Sequence, residues 1–206
     1  MDDTLKWDDH IDYICKKISK GCWALAKMRH CASLELLREI YYALIYSYIR
    51  YGITVWGNAS ESTLNPLRVL NHRAARIMTF APFGRIDMGP LMNYIEILDI
   101  DDICLLETAK LIFKLKNDLI PVVFGNYFET RNSNPSHRYN LRRRGGNTNY
   151  MKYKTSYGQR SLQYRCTDIW NNIPHELHDC HTIAAFKRQL KSHLLASQDI
   201  DGVVSL

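Results

Sequence analysis

The sequence has no Cys-x-x-Cys pair, no Gly-x-Ser-x-Gly elbow, no glycine-rich phosphate loop and no long hydrophobic run. Its six cysteines, Cys15, Cys22, Cys31, Cys104, Cys166 and Cys180, are scattered. They read as free buried thiols of a reducing, intracellular compartment, cytoplasmic or nuclear. No elbow means no signature of an activated serine. The Gly-Gly turn in RRRGGN (142–147) lacks the strand-to-helix setting in which backbone N–H groups cradle phosphate. The longest apolar-aromatic run, YYALIYSYI from Tyr41 to Ile49, is far short of the roughly 18 residues of a spanning helix. No membrane partner is expected. The acidic start, MDDTLKWDD, is not followed by a signal-peptide hydrophobic region.

A further absence is local. Between Thr130 and Thr167 there is no Asp or Glu, while Arg131, Arg138, Arg142, Arg143, Arg144, Lys152, Lys154, Arg160 and Arg165 all fall there. These nine of the 27 basic residues leave 18 against 21 acidic residues elsewhere. The net charge of +6 is therefore concentrated in one window.

With 206 residues, 46% hydrophobic and 23% charged, the chain can bury a core as one domain or two small ones. Ile11, Ile14, Cys15, Ile18, Cys22, Leu25 and Met28 follow the three-and-four spacing of an amphipathic helix, with Asp8 or Asp9 as its N-cap. Ser33 opens a second helix with a wide stripe of Leu36, Leu37, Ile40, Tyr41, Leu44, Ile45 and Tyr48, which Gly52 ends or bends. A third places Leu64, Leu67, Leu70, Ala74, Ile77 and Met78 on one side and Arg68, His72, Arg73 and Arg76 on the other. Ala81 to Pro90 reads as a turn-rich connection. After Asp99 a fourth helix runs to about Lys116, with acids in its first turn and lysines in its last, the order that suits the helix dipole. Thr182 caps a final helix with Ile183, Phe186, Leu190 and Leu194 inward, and Lys187, Arg188 and Lys191 outward. The expected fold is mainly α: a helical domain over 1–128, a basic linker or arm over 129–156, and a small C-terminal α or α+β piece over 157–206.

Three kinds of chemistry can be weighed. The acids of LDIDDIC (98–104) superficially resemble a metal-binding strand-turn motif, but a helix N-terminus accounts for them through capping and the dipole. Cys166, His175, His178, Cys180 and His181 crowd together without the ligand spacing of a zinc site, so they read as loop histidines and unrelated thiols. No metal and no cofactor are expected. The basic window is different, because Tyr139, Tyr150, Tyr153, Tyr157 and Tyr164 alternate with its cations. Cations meet phosphates and rings stack on unpaired bases, so the candidate contact residues are Arg138, Tyr139, Arg142, Arg143, Arg144, Lys152, Lys154, Arg160, Tyr164 and Arg165. Arg68, Arg73 and Arg76 offer a second phosphate-facing surface. The plainer alternative is a solvated basic linker beside an ordinary solvated helix face.

Several stretches also carry a family likeness: LKWDDHIDYICKKISKGCWAL, YYALIYSYIRYGITVWG, LNHRAARIM, ILDIDDICLLETAKLIFKLKND, RYNLRR, YGQRSLQYRCTDIWNNIP and FKRQLKSHLL, in that order. Together they resemble the region downstream of the palm in reverse transcriptases of LINE-type (non-LTR) retrotransposons, of the jockey-like sort. The sharpest pattern, G-x-R-S-x-x-Y-R…W-N-x-x-P, is held by Gly158, Arg160, Ser161, Tyr164, Arg165, Trp170, Asn171 and Pro174. The resemblance implies a thumb-like helical bundle that grips template and primer, then a C-terminal region linked to RNA recognition. It also implies that the fingers, the palm and its metal-bound carboxylates lie upstream of Met1. The expectation is a non-catalytic fragment that binds RNA or an RNA/DNA duplex, Mg²⁺ belonging only to a full-length polymerase. Without a palm, apolar surface on Ile11, Ile18, Leu36, Ile40 and Leu44 is expected to be exposed, favouring a separate palm or self-association as partner. The alternative function is a helical protein-interaction module or a functionless retroelement remnant.

Overall fold

The computed structural model describes residues 6–82, 87–121, 124, 155, 158 and 161–203, the side chains of 163 and 198–203 excepted. Every regular element among the described residues is a helix, so the mainly α fold expected from the apolar spacing is the one observed. The chain forms two compact units, Met1–Cys104 with Leu190–Leu206, and Leu105–Gln189. The division falls inside two helices, and the expected bounds near 128 and 156 lie outside the described residues.

In the first unit, α1 (Asp8–Met28) buries Ile11, Ile14, Ile18, Gly21, Cys22 and Leu25. Neither Asp8 nor Asp9 is its N-cap. That position is Trp7, in the left-handed region at φ 67° and without a side-chain cap. Asp8 instead accepts a hydrogen bond from Thr63 Oγ1 at 2.9 Å, and both acids stand in the first turn, where the dipole favours them. α2 (Leu34–Tyr41) begins as expected, with Ser33 Oγ accepting from the Leu36 N–H at 3.3 Å. It passes into a π-helical turn, Tyr42–Tyr46, and then α3, Ser47–Arg50. A π turn closes i→i+5 rather than i→i+4 hydrogen bonds. Leu37, Tyr41, Ile45 and Ile49, spaced by four, are all 1% exposed or less.

The expected exposed apolar surface is present only in part. Leu36 and Leu44 are each 42% exposed, whereas Ile11 and Ile18 are 2% and 0%. The reason is α5 (Glu61–Thr79), which packs along α1 and brings the Cys22 thiol 3.7 Å from the Leu70 carbonyl. Ser60 caps α5 by accepting from the Thr63 N–H at 3.3 Å. Its buried side is Leu64, Leu67, Asn71, Ala74, Ala75 and Met78. α4 (Ile53–Trp56) follows Gly52, whose φ of 65° ends the preceding helix as the sequence predicts. α6 (Met88–Tyr94) replaces part of the expected turn-rich connection; Asp87 Oδ1 caps it through the Gly89 N–H at 3.1 Å, and Pro90 is tolerated in its first turn. α7 (Ile100–Lys116) carries its acids first and its lysines last, as expected.

In the second unit α7 continues beside α8 (Leu162–Asn172), α9 (His175–His178) and the start of α10 (Ile183–Val203). Trp170, 4% exposed, stacks on His178 at 4.3 Å and lies 6.2 Å from Phe186, which stacks on Phe113 at 4.7 Å. Ile173 is buried beside them in sequence, so the Trp170–Pro174 segment does anchor this unit against the Phe186 helix. Thr182 Oγ1 accepts from the Ala185 N–H at 3.2 Å, the expected cap of α10. Glu107 and Lys110, 12% and 10% exposed, pair on α7 at 2.7 Å.

One close approach fixes α4 against α7. A Cβ at Gly57 would lie 2.5 Å from the Ile53 carbonyl oxygen and 2.6 Å from Cys104 Sγ. The sulfur can shift, but the backbone oxygen cannot. Gly57→Ala is expected to lower stability by about 1–3 kcal/mol in urea unfolding. Gly52→Ala is strained by its positive φ alone, with its nearest neighbour at 3.7 Å, and is expected to cost about 1 kcal/mol. Equal midpoints for Gly57→Ala and the unsubstituted chain would contradict this packing.

Candidate nucleic-acid interface

The basic side of α5 is built differently from its sequence appearance. Arg68 Nε and Nη2 donate to the two oxygens of Asp101 at 3.0 and 2.9 Å, and Nη1 donates to Glu61 at 2.6 Å. Asp101 and then Glu61 push the guanidinium still further above its ordinary value. Such a fork-to-carboxylate pair leaves Arg68 committed within the fold. His72 Nε2 lies 3.3 Å from Asp99 Oδ2. Arg76 is half-buried, and of the three arginines only Arg73 is exposed. Of the second surface expected on α5, Arg68 is thus bound to Asp101 in the first turn of α7 and to Glu61, while Arg73 is exposed and Arg76 half-buried. Asp101, weighed as a metal ligand from sequence, is the partner of Arg68.

Of the connector residues, Arg138, Tyr139, Arg142, Arg143, Arg144, Lys152, Lys154 and Arg160 lie outside the described residues. Tyr164 and Arg165 stand half-buried in the first turn of α8. That turn is set by Ser161, whose hydroxyl accepts from the Tyr164 N–H at 3.3 Å while its carbonyl accepts from the Arg165 N–H at 3.1 Å. Further along α8, Cys166, Ile169 and Trp170 turn inward. Pro174 precedes α9 as its N-cap residue. Among the described residues of the G-x-R-S…W-N-x-x-P pattern, Ser161 therefore caps α8, Trp170 packs in the core and Pro174 precedes the next helix.

The Cys/His cluster does not converge. His178 Nε2 faces the Trp170 carbonyl at 3.2 Å and burial holds the ring below its ordinary value. Cys180 Sγ lies 3.1 Å from Gln189 Oε1, and His175 and His181 are exposed. Among the described residues no group of three or more His, Cys, Asp or Glu side chains is placed to hold a metal ion. Burial pushes the Cys22 thiol up to about 11 and that of Cys166 to about 12, away from the thiolate a nucleophile requires. All six cysteines are free. Among the described residues no helix is long and apolar enough to cross a membrane.

A polar cluster missed in the sequence lies beneath this surface. Asn71, 0% exposed, accepts from Tyr41 Oη at 2.7 Å and donates to the Leu98 carbonyl at 3.2 Å. Its signal was available: Leu67, Asn71, Ala74 and Met78 share the helical spacing of the buried stripe. Comparison of the chain with protein-family models, with curated proteins and with solved structures finds no match in any of the three.

Asp99 yields a pH prediction. Burial pushes its carboxyl up, but the hydrogen bond and charge of His72, with bonds from the Ile100 N–H and Asn71, outweigh this and hold it below its ordinary 3.8. A depressed carboxyl stabilises the fold above its unfolded value and loses that contribution as pH falls through the folded one. Asp99→Asn is expected to lower stability at neutral pH by about 1–3 kcal/mol. The difference from the unsubstituted chain should shrink as pH falls below 3.8. A gap in urea midpoint that is the same in acid as at neutrality would refute this role.

Proposed function

We propose that this chain is the thumb and C-terminal region of a non-LTR retrotransposon-type reverse transcriptase, acting as a non-catalytic binder of RNA or RNA/DNA. The observation that carries the reading is the acid-free run of nine cations between Thr130 and Thr167, interleaved with tyrosines. It leads directly into α8, where Ser161 holds Tyr164 and Arg165 in the first turn and Trp170 fastens the other end into the core. That arrangement supports a basic strand-binding segment tethered to a folded base. The ordered motifs quoted above support the family.

Binding of this kind is driven by counterion release. Arg142, Arg143 and Arg144 reversed to glutamate are expected to weaken RNA binding and to reduce the slope of log affinity against log salt by about 2 for a single strand. An unchanged slope would remove the connector from the interface. With Mg²⁺, primer and template, the chain alone is expected to give no extension product; any product would overturn the non-catalytic reading.

A second reading, a helical protein-interaction module, has the 42% exposure of Leu36 and Leu44 in its favour. A specific protein partner retained by the Arg142–Arg144 reversal and lost on Leu36→Ser with Leu44→Ser would favour it.

A further inference from the structure

α1 turns its apolar side into the bundle and a basic, aromatic side to solvent. Lys16, Lys20, Trp23 and Lys27 recur at i, i+4, i+7 and i+11, with Tyr13 and Lys17 bordering them, so the six share one side of the helix. Lys16, Lys20 and Lys27 are exposed, Trp23 is 66% exposed and Tyr13 54%. Single exposed apolar side chains are ordinary. Two large rings aligned with lysines are less so, and each ring carries one: Lys17 Nζ is 5.2 Å from the Tyr13 centroid and Lys27 Nζ 5.7 Å from that of Trp23. No Asp or Glu occurs from Tyr13 to Leu34. The acids of α1, Asp8, Asp9 and Asp12, stand in its first two turns, with Asp9 and Asp12 on this same side, seven and four residues before Lys16, so the basic stretch begins beyond them.

We propose that this side of α1 is a second contact for single-stranded nucleic acid, its lysines taking phosphates while Trp23 and Tyr13 stack on unpaired bases. The proposal shares the nucleic-acid class of the connector reading and none of its residues. At 1.5 Å per residue, Tyr13 and Trp23 stand about 15 Å apart along the axis, room for several nucleotides between two stacking platforms. A base stacked on either ring brings its own phosphate beside the ammonium already there. A duplex offers no open base faces to these rings. An anionic membrane is a poorer fit, because the apolar side that would insert is spent in the core: Ile11, Ile14, Ile18 and Leu25 are 2% exposed or less.

The test is a salt-series titration of the full chain with an unstructured oligouridylate, in parallel with phosphatidylserine vesicles. The variants are Lys16, Lys20 and Lys27 reversed to glutamate, Trp23→Ala, Trp23→Phe and the Arg142–Arg144 reversal, each checked for an unchanged urea midpoint. The lysine reversal is expected to reduce the salt slope by about 2. Trp23→Ala is expected to weaken binding about tenfold, with Trp23→Phe retaining most of the affinity. Quenching of tryptophan fluorescence by the oligonucleotide should diminish in Trp23→Phe. α1-dependent binding that persists in the Arg142–Arg144 variant supports α1 and counts against the connector. Wild-type affinity and slope in both α1 variants overturns the proposal, and if the Arg142–Arg144 reversal then abolishes binding, the connector reading stands alone. Vesicle binding through these lysines without oligonucleotide binding overturns it in favour of a membrane surface.

Discussion

The first unit is organised around one buried amide. Asn71 sits on α5 with no solvent exposure, and an unbonded amide there costs several kcal/mol. It is bonded on both sides, to Tyr41 Oη and to the Leu98 carbonyl. Those two bonds are met in only one register of α2, α5 and the chain entering α7. Once that register is set, Arg68 and His72, on the same helix, come within reach of Asp101 and Asp99. The polar core and the ion pairs are thus one construction.

That construction separates the charges of the protein into two kinds. On α5 Arg68 is held by Asp101 and Glu61 and His72 lies beside Asp99, so these two side chains serve the fold. Elsewhere cations cluster in stretches of sequence without acids: between Thr130 and Thr167, and from Tyr13 to Leu34, which holds the lysines of α1. Both groups are accompanied by aromatic side chains, and on α1 the rings are open to solvent. The functional reading rests on where the cations cluster in the sequence more than on the total of +6.

Much of the architecture is legible from local chemistry. Ser33 and Thr182 cap the helices they precede, Gly52 breaks the chain where a positive φ is needed, and Trp170 anchors the C-terminal core. What sequence does not convey is partnership at a distance. Asp8 looks like a cap but bonds Thr63, 55 residues away. Asp101 looks like a dipole residue or a metal ligand but clasps Arg68. Ile11 and Ile18 look unpartnered only if the covering role of α5 is unknown. The π turn at Tyr42–Tyr46 is invisible to a fixed helical period, as is the division of the expected stripe into buried Leu37, Tyr41 and Ile45 and exposed Leu36 and Leu44.

The central proposal is that the clustered cations of the connector and of α1 bind a nucleic-acid strand. It is tested most directly by the affinity of the unsubstituted chain for single-stranded RNA across a salt series. The account predicts a steep linear fall of log affinity with log salt, of slope reflecting several released counterions. A flat dependence, or no binding at low salt, would contradict it.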